Sequence, residues 1–146
     1  MSESIGESRD PQSSVMVWMR LARVYNKIIH TITEHLRQWD ISLATFDLLI
    51  HVGAHEGLTQ QELADRLLVT KGDICYMVDK LEQIHLLKRW REGRVKRLSL
   101  TEQGRHLLDE IMPLHQQLVS SLFASLSEEE HRVLLSMLRT LDKSLM

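Results

Sequence analysis

Apolar residues early in the chain recur at steps of three and four: Trp18, Leu21, Tyr25, Ile28, Ile32 and Leu36. That spacing stacks them on one helical face, which Val17, Val24 and Ile29 widen. It predicts a helix from Val15 to about Trp39, preceded by a polar, flexible tail over residues 1–14. Asp40 marks a stop, and Ser42 caps a second helix that carries Phe46, Leu49 and Ile50 and ends around Gly53 and Gly57. Thr59-Gln60-Gln61-Glu62 reads as a capping box, and Thr70-Lys71-Gly72-Asp73 as a second cap. Between them Leu63, Ala64, Leu67 and Leu68 form an apolar side, and after them Ile74, Val78 and Leu81 keep helical spacing. Two short capped helices joined by a tight turn make a helix-turn-helix. Leu87–Trp90 and Val95–Leu100 then read as the strands of a hairpin turning through Arg91-Glu92-Gly93-Arg94. Thr101 caps a helix through Leu107, Leu108, Ile111, Leu114, Leu118 and Leu122, bent at Pro113. Ser127-Glu128-Glu129-Glu130 opens a last one, with Leu134, Met137, Leu138, Leu141 and Leu145.

The expected fold is therefore mostly α with a small β-hairpin wing. In 146 residues it makes one domain over 15–146: a winged helix-turn-helix at 42–101, flanked by helices at 15–40 and 102–146. No apolar run approaches the roughly 18 residues of a membrane span, and the first residues lack a secretory pattern, so the expected location is the cytoplasm. One cysteine, Cys75, permits neither an internal disulfide nor a zinc ribbon. Nucleophile elbows, phosphate-binding glycine loops and H-E-x-x-H motifs are missing, so no enzyme and no cofactor are expected. The eight histidines form no converging metal motif: His30 and His35 diverge around a helix, and Gly53 interrupts His51 and His55.

Charge changes the picture. The net is −2, yet residues 71–105 hold nine lysines and arginines against five acids, leaving the acidic excess to the two ends. A basic centre in an acidic chain is a local field suited to a polyanion. The second helix of a helix-turn-helix fits the major groove of DNA. Here its outer side offers Thr70, Lys71, Asp73, Cys75, Tyr76 and Lys80. Lys71 suits guanine or a phosphate, Tyr76 a phosphate or a thymine methyl, and Asp73 a cytosine amine or the cap alone. Arg94 suits the minor groove, while Arg89, Arg91, Lys96, Arg97 and Lys88 divide between phosphates and solvent. The alternative is a winged helix that binds another protein, which salt would separate from DNA binding.

The run LTQQELADRLLVTKGDICYMVDKLEQIHLLKRW, followed by GRVKRLSLTEQGR, resembles the multiple-antibiotic-resistance regulator (MarR) family of bacterial transcription factors. Val78-Asp79-Lys80-Leu81-Glu82 and Leu100-Thr101-Glu102-Gln103-Gly104 carry the most specific likeness. The resemblance implies a homodimeric repressor that reads a pseudo-palindromic operator in double-stranded DNA. It also implies a small aromatic effector bound between dimer lobe and winged helix, where Trp18, Tyr25, His35 and Trp39 are of a suitable type. The end helices hold more apolar surface than a winged helix can cover. Trp18 and Leu21 at one end, with Leu134, Met137, Leu138, Leu141 and Leu145 at the other, are therefore the expected dimer contacts. The wing departs from the family pattern: it reads Glu92-Gly93-Arg94, without a second arginine and about three residues shorter. Glu92 is expected to orient Arg94, and binding to lean on the recognition helix. Cys75 on that helix is also a candidate for oxidation.

Overall fold

The computed structural model describes residues 10–145. Six α-helices and one hairpin follow in the expected order: α1 (Pro11–Leu36), a 3-10 turn (Arg37–Trp39), α2 (Leu43–Ala54), α3 (Gln60–Leu67), α4 (Lys71–Gln83), β1 (Leu87–Glu92), β2 (Val95–Leu100), α5 (Glu102–Leu122) and α6 (Glu128–Ser144). Each α-helix opens on a side-chain acceptor, respectively Asp10, Ser42, Thr59, Thr70, Thr101 and Ser127. A cap of this kind contributes about 1 kcal/mol by satisfying a backbone donor that has no helical partner.

Several boundaries differ from those expected. Residues 11–14 belong to α1 instead of a tail, because Asp10 caps the helix and Pro11 supplies its first turn. The expected tail over residues 1–9 lies outside the described residues. At Thr59 the capping box forms in part: Glu62 N–H donates to Thr59 Oγ1 at 3.1 Å, but the Glu62 carboxylate takes the Thr59 hydroxyl, not the backbone N–H. The full reciprocal box occurs at Ser127 and Glu130. α5 runs on through Pro113.

The hairpin's first strand is longer and its turn shorter than expected. Its register runs from Leu87 opposite Leu100 to Glu92 opposite Val95, so Arg91 and Glu92 are strand and the turn is Gly93-Arg94 alone. Gly93 takes φ 63°, which a two-residue turn of this kind favours. The free edge of β2 is covered by the segment before α3, where Gly57 N–H donates to Leu98 O and Leu98 N–H to Leu58 O, both at 2.9 Å.

The core lies in the middle of the chain. Phe46, Leu49 and Val52 of α2 meet Leu63 and Ala64 of α3, Ile74, Val78 and Leu81 of α4, Leu87, Leu98 and Leu100 of the hairpin, and Leu108 and Ile111 of α5. Only Ile32 and Leu36 join it from α1, and among the described residues nothing beyond Ile111 is buried. Leu68, expected on the apolar side, is 92% exposed. It occupies the left-handed cap position of α3 (φ 55°), which swings its side chain away from the stripe.

α5 approaches the corner between α4 and β1 through a glycine. Thr101 N–H donates to Leu86 O, and the Thr101 hydroxyl donates to His85 O. A Cβ on Gly104 would stand 2.1 Å from Leu86 O, a backbone atom that cannot give way. Gly104→Ala is therefore expected to lower unfolding stability by about 2–3 kcal/mol, read from urea denaturation.

Candidate nucleic-acid interface

α4 stands with Ile74, Val78 and Leu81 buried and Lys71, Asp73, Tyr76 and Lys80 outward. Tyr76 is 71% exposed, a large ring that covers nothing in its own chain. Thr70 heads the helix, its Oγ1 accepting from Asp73 N–H at 3.1 Å. Cys75 is half-buried. Across from the start of α4 lies the wing. Thr59, Gln60, Gln61, Lys71, Ile74, Arg94, Val95 and Lys96 enclose a notch of about 270 Å³. The notch brings the first turns of α3 and α4 to the hairpin tip, so two sets of helix-start N–H groups and three cationic side chains border one concavity. Such a surface favours an anion.

The basic residues divide into two kinds. Arg89, expected among DNA contacts, is instead turned inward with its side chain 19% exposed. Its Nη2 donates to Asp79 Oδ1 at 2.7 Å and Glu82 Oε1 at 3.3 Å, and its Nη1 to Gln60 Oε1 at 3.3 Å. One guanidinium thus joins α4, β1 and the first turn of α3. Burial alone disfavours the charge, but the Asp79 hydrogen bond and the two carboxylates outweigh it and hold the Arg89 pKa above its ordinary value. Arg97 is also engaged: it pairs with Glu92, and its Nη1 donates to Gly57 O at 2.9 Å. Glu92 therefore orients Arg97, not Arg94 as expected, because Arg97 faces it diagonally across the hairpin while Arg94 sits in the turn. Arg105 forms a third such tie. It bonds Glu56 and Gly53 O, and Glu56 also accepts from Ser99 Oγ and Leu100 N–H.

Lys71, Lys80, Arg91, Arg94 and Lys96 enter no ion pair among the described residues. Sequence reasoning grouped all of them as candidate contacts and missed the acids that lock the others. The signal was available in Asp79 and Glu82, whose three-residue spacing puts two carboxylates on one helical face. The aromatic side chains expected around an effector do not come together in one subunit. His35 and Trp39 touch, with ring centroids 5.1 Å apart. Trp18 and Tyr25 lie on the exposed part of α1; Trp18 is about 25 Å back along the helix from His35 at 1.5 Å per residue. Among the described residues no group of three or more His, Cys, Asp or Glu could hold a metal ion.

Comparison with known proteins agrees with this geometry. Residues 39–98 match the family model described as MarR family. An uncharacterised HTH-type transcriptional regulator of Bacillus cereus strain ZK is 34% identical over 136 residues, covering 92% of each chain. The HTH-type transcriptional regulator MhqR of Bacillus subtilis is 32% identical over 134 residues, covering 88% of this chain and 90% of its own. The crystal structure of Streptococcus pneumoniae FabT in complex with DNA superposes with a TM-score of 0.77 at 25% identity, covering 90% of this chain and 96% of the other.

If Arg89 is a brace, Arg89→Ala should lower unfolding stability by about 1–2 kcal/mol, since it removes charged hydrogen bonds at a half-buried joint. Lys71→Ala, on the open surface, should change the unfolding midpoint in urea very little.

Proposed function

The chain belongs to the MarR family, and on that footing we propose that it is a sequence-specific regulator of transcription that binds double-stranded DNA as a homodimer. The observation that carries the reading is the division of the central cations. Arg89, Arg97 and Arg105 hold the wing and recognition helix in place, while Lys71, Lys80, Arg91, Arg94 and Lys96 are left on the outward surface. Fixed positions with uncommitted charge are what reading a duplex requires. α4 enters the major groove, where Lys71, Asp73, Cys75, Tyr76 and Lys80 face base edges or phosphates. The notch between α4 and the wing takes a phosphate, and Arg94 at the turn reaches toward the minor groove. Thr70 acts through the cap. Arg89 and Arg97 are positioning residues.

The dimer follows from what the ends of the chain lack. α6 buries no residue, and its Leu134, Met137, Leu138, Leu141 and Leu145 follow one face. α1 likewise exposes Trp18 and Leu21. A 17-residue helix with no packed face has little to hold it in water. Covering these faces with a second copy sets residues 15–40 and 102–146 as the dimer lobe and 42–101 as the reading head. Two heads then address a pseudo-palindrome with half-sites about one helical turn apart. In its regulatory form the protein is a cytoplasmic repressor, released when a small aromatic molecule or an oxidant changes the separation of the heads. No catalytic activity belongs to this reading.

Two tests follow. Lys71→Ala and Arg94→Ala should each weaken duplex binding and flatten the dependence of log affinity on log salt by about one unit per lost phosphate contact, with the dimer intact. Undiminished binding in both variants would place the interface elsewhere. Leu138→Glu with Leu141→Glu should shift sedimentation to the monomer and abolish specific binding, whereas a variant that stays dimeric would remove α6 from the interface.

A further inference from the structure

The core ends where α1, α2 and α5 meet, and that meeting point holds two histidines. His35 closes α1 and stacks edge-on against Trp39, while His115 on α5 stacks edge-on against Phe46 of α2, centroids 4.8 Å apart. Both rings are half-buried, and in both the Nδ1 atom is buried with no hydrogen-bond partner among the described residues. A neutral imidazole tolerates this by carrying its proton on Nε2 and leaving Nδ1 a bare acceptor. Protonation creates an N–H at Nδ1 with no acceptor to receive it, and a charge in apolar surroundings.

The titratable groups around His115 act in opposite directions. Burial and, from α1, His35 both oppose its charge; Asp47 on α2 favours it, and together they leave the His115 pKa below its ordinary value. Asp47 is itself held above the ordinary carboxylate range by burial, against the pull of His51 and His115. No charged group of α5 itself contributes at His115.

We propose that His115, packed against Phe46 beside His35, forms a proton-operated joint between dimer lobe and reading head, closed while its ring is neutral and loosened in acid. The effect on DNA rests on the regulator reading above; the joint itself does not. Because the folded chain favours neutral His115, this contribution to stability is complete above the ordinary histidine value of about 6.5 and is lost as pH falls below it. The three helices that meet here join the two parts whose relative placement sets half-site spacing, so a looser joint weakens operator binding.

The test follows the histidine Cε1–H resonances of the intact dimer by NMR and, in parallel, the affinity for a duplex selected from random sequence, from about pH 8 to pH 5 at fixed ionic strength. The wild type should lose affinity several-fold across that range, and His115→Phe should hold it. In His35→Phe the His115 titration should move up, because a like charge is removed; in Asp47→Asn it should move down. These opposite shifts check the charge environment of His115, and the affinity profile of His115→Phe decides whether its protonation loosens the joint. Identical affinity profiles for wild type and His115→Phe would overturn the joint, as would a His115 titration unmoved in both neighbouring variants. Failure to bind DNA at every pH would sink the regulator reading instead, and the joint would still be decided by unfolding stability, which should fall below about pH 6.5 in the wild type and not in His115→Phe.

Discussion

The structure depends on a core that stops. Full burial begins at Ile32 and ends at Ile111, with Ile28 at one end and Met112, Leu118 and Val119 at the other packed against its margin, so the first four turns of α1, the last turn of α5 and all of α6 project from the packed centre. Helices of this kind are held by tertiary contact more than by propensity, and here their own subunit supplies little of it. Their apolar faces are thus an unfilled requirement, which the dimeric reading fills with like surfaces of a second copy of the chain. Everything about target geometry then passes through the place where the packed centre hands over to the projecting helices. On the proposed joint, a small change of angle at His35, Phe46 and His115 becomes a large change of distance at the tips of α4.

Within the packed centre, electrostatics fixes shape before it offers a surface. Arg89 between Asp79 and Glu82 fastens the wing's first strand to the recognition helix. Arg97 fastens the second strand to the loop before α3, and Glu56 with Arg105 ties the wing's base to α5. The acids that balance these arginines lower the net charge of the segment while leaving its outer cations unopposed. A net charge of −2 is therefore compatible with a polyanion-binding face.

Much of this was legible in the sequence, because caps and apolar spacing are local. Ser42, Thr59, Thr70, Thr101 and Ser127 announced five helix starts correctly, and Ile74, Val78 and Leu81 gave the buried face of α4. Asp10 was legible in principle, but three polar residues after Pro11 disguised the first turn of α1. What could not be read was tertiary. The pairing of Glu92 with Arg97 depends on hairpin register, and the bonds of Glu56 join residues more than 40 positions apart. Leu68 fitted the apolar stripe by spacing, and only the left-handed backbone at the end of α3 turns it outward.

Selection of the purified protein on random duplex DNA, with the bound pool sequenced, bears most directly on the claim that this is a dimeric reader of DNA. An inverted repeat with half-sites about one helical turn apart should emerge. A well-folded dimer that enriches no sequence at low salt would contradict the account and leave the basic surface without a duplex to read.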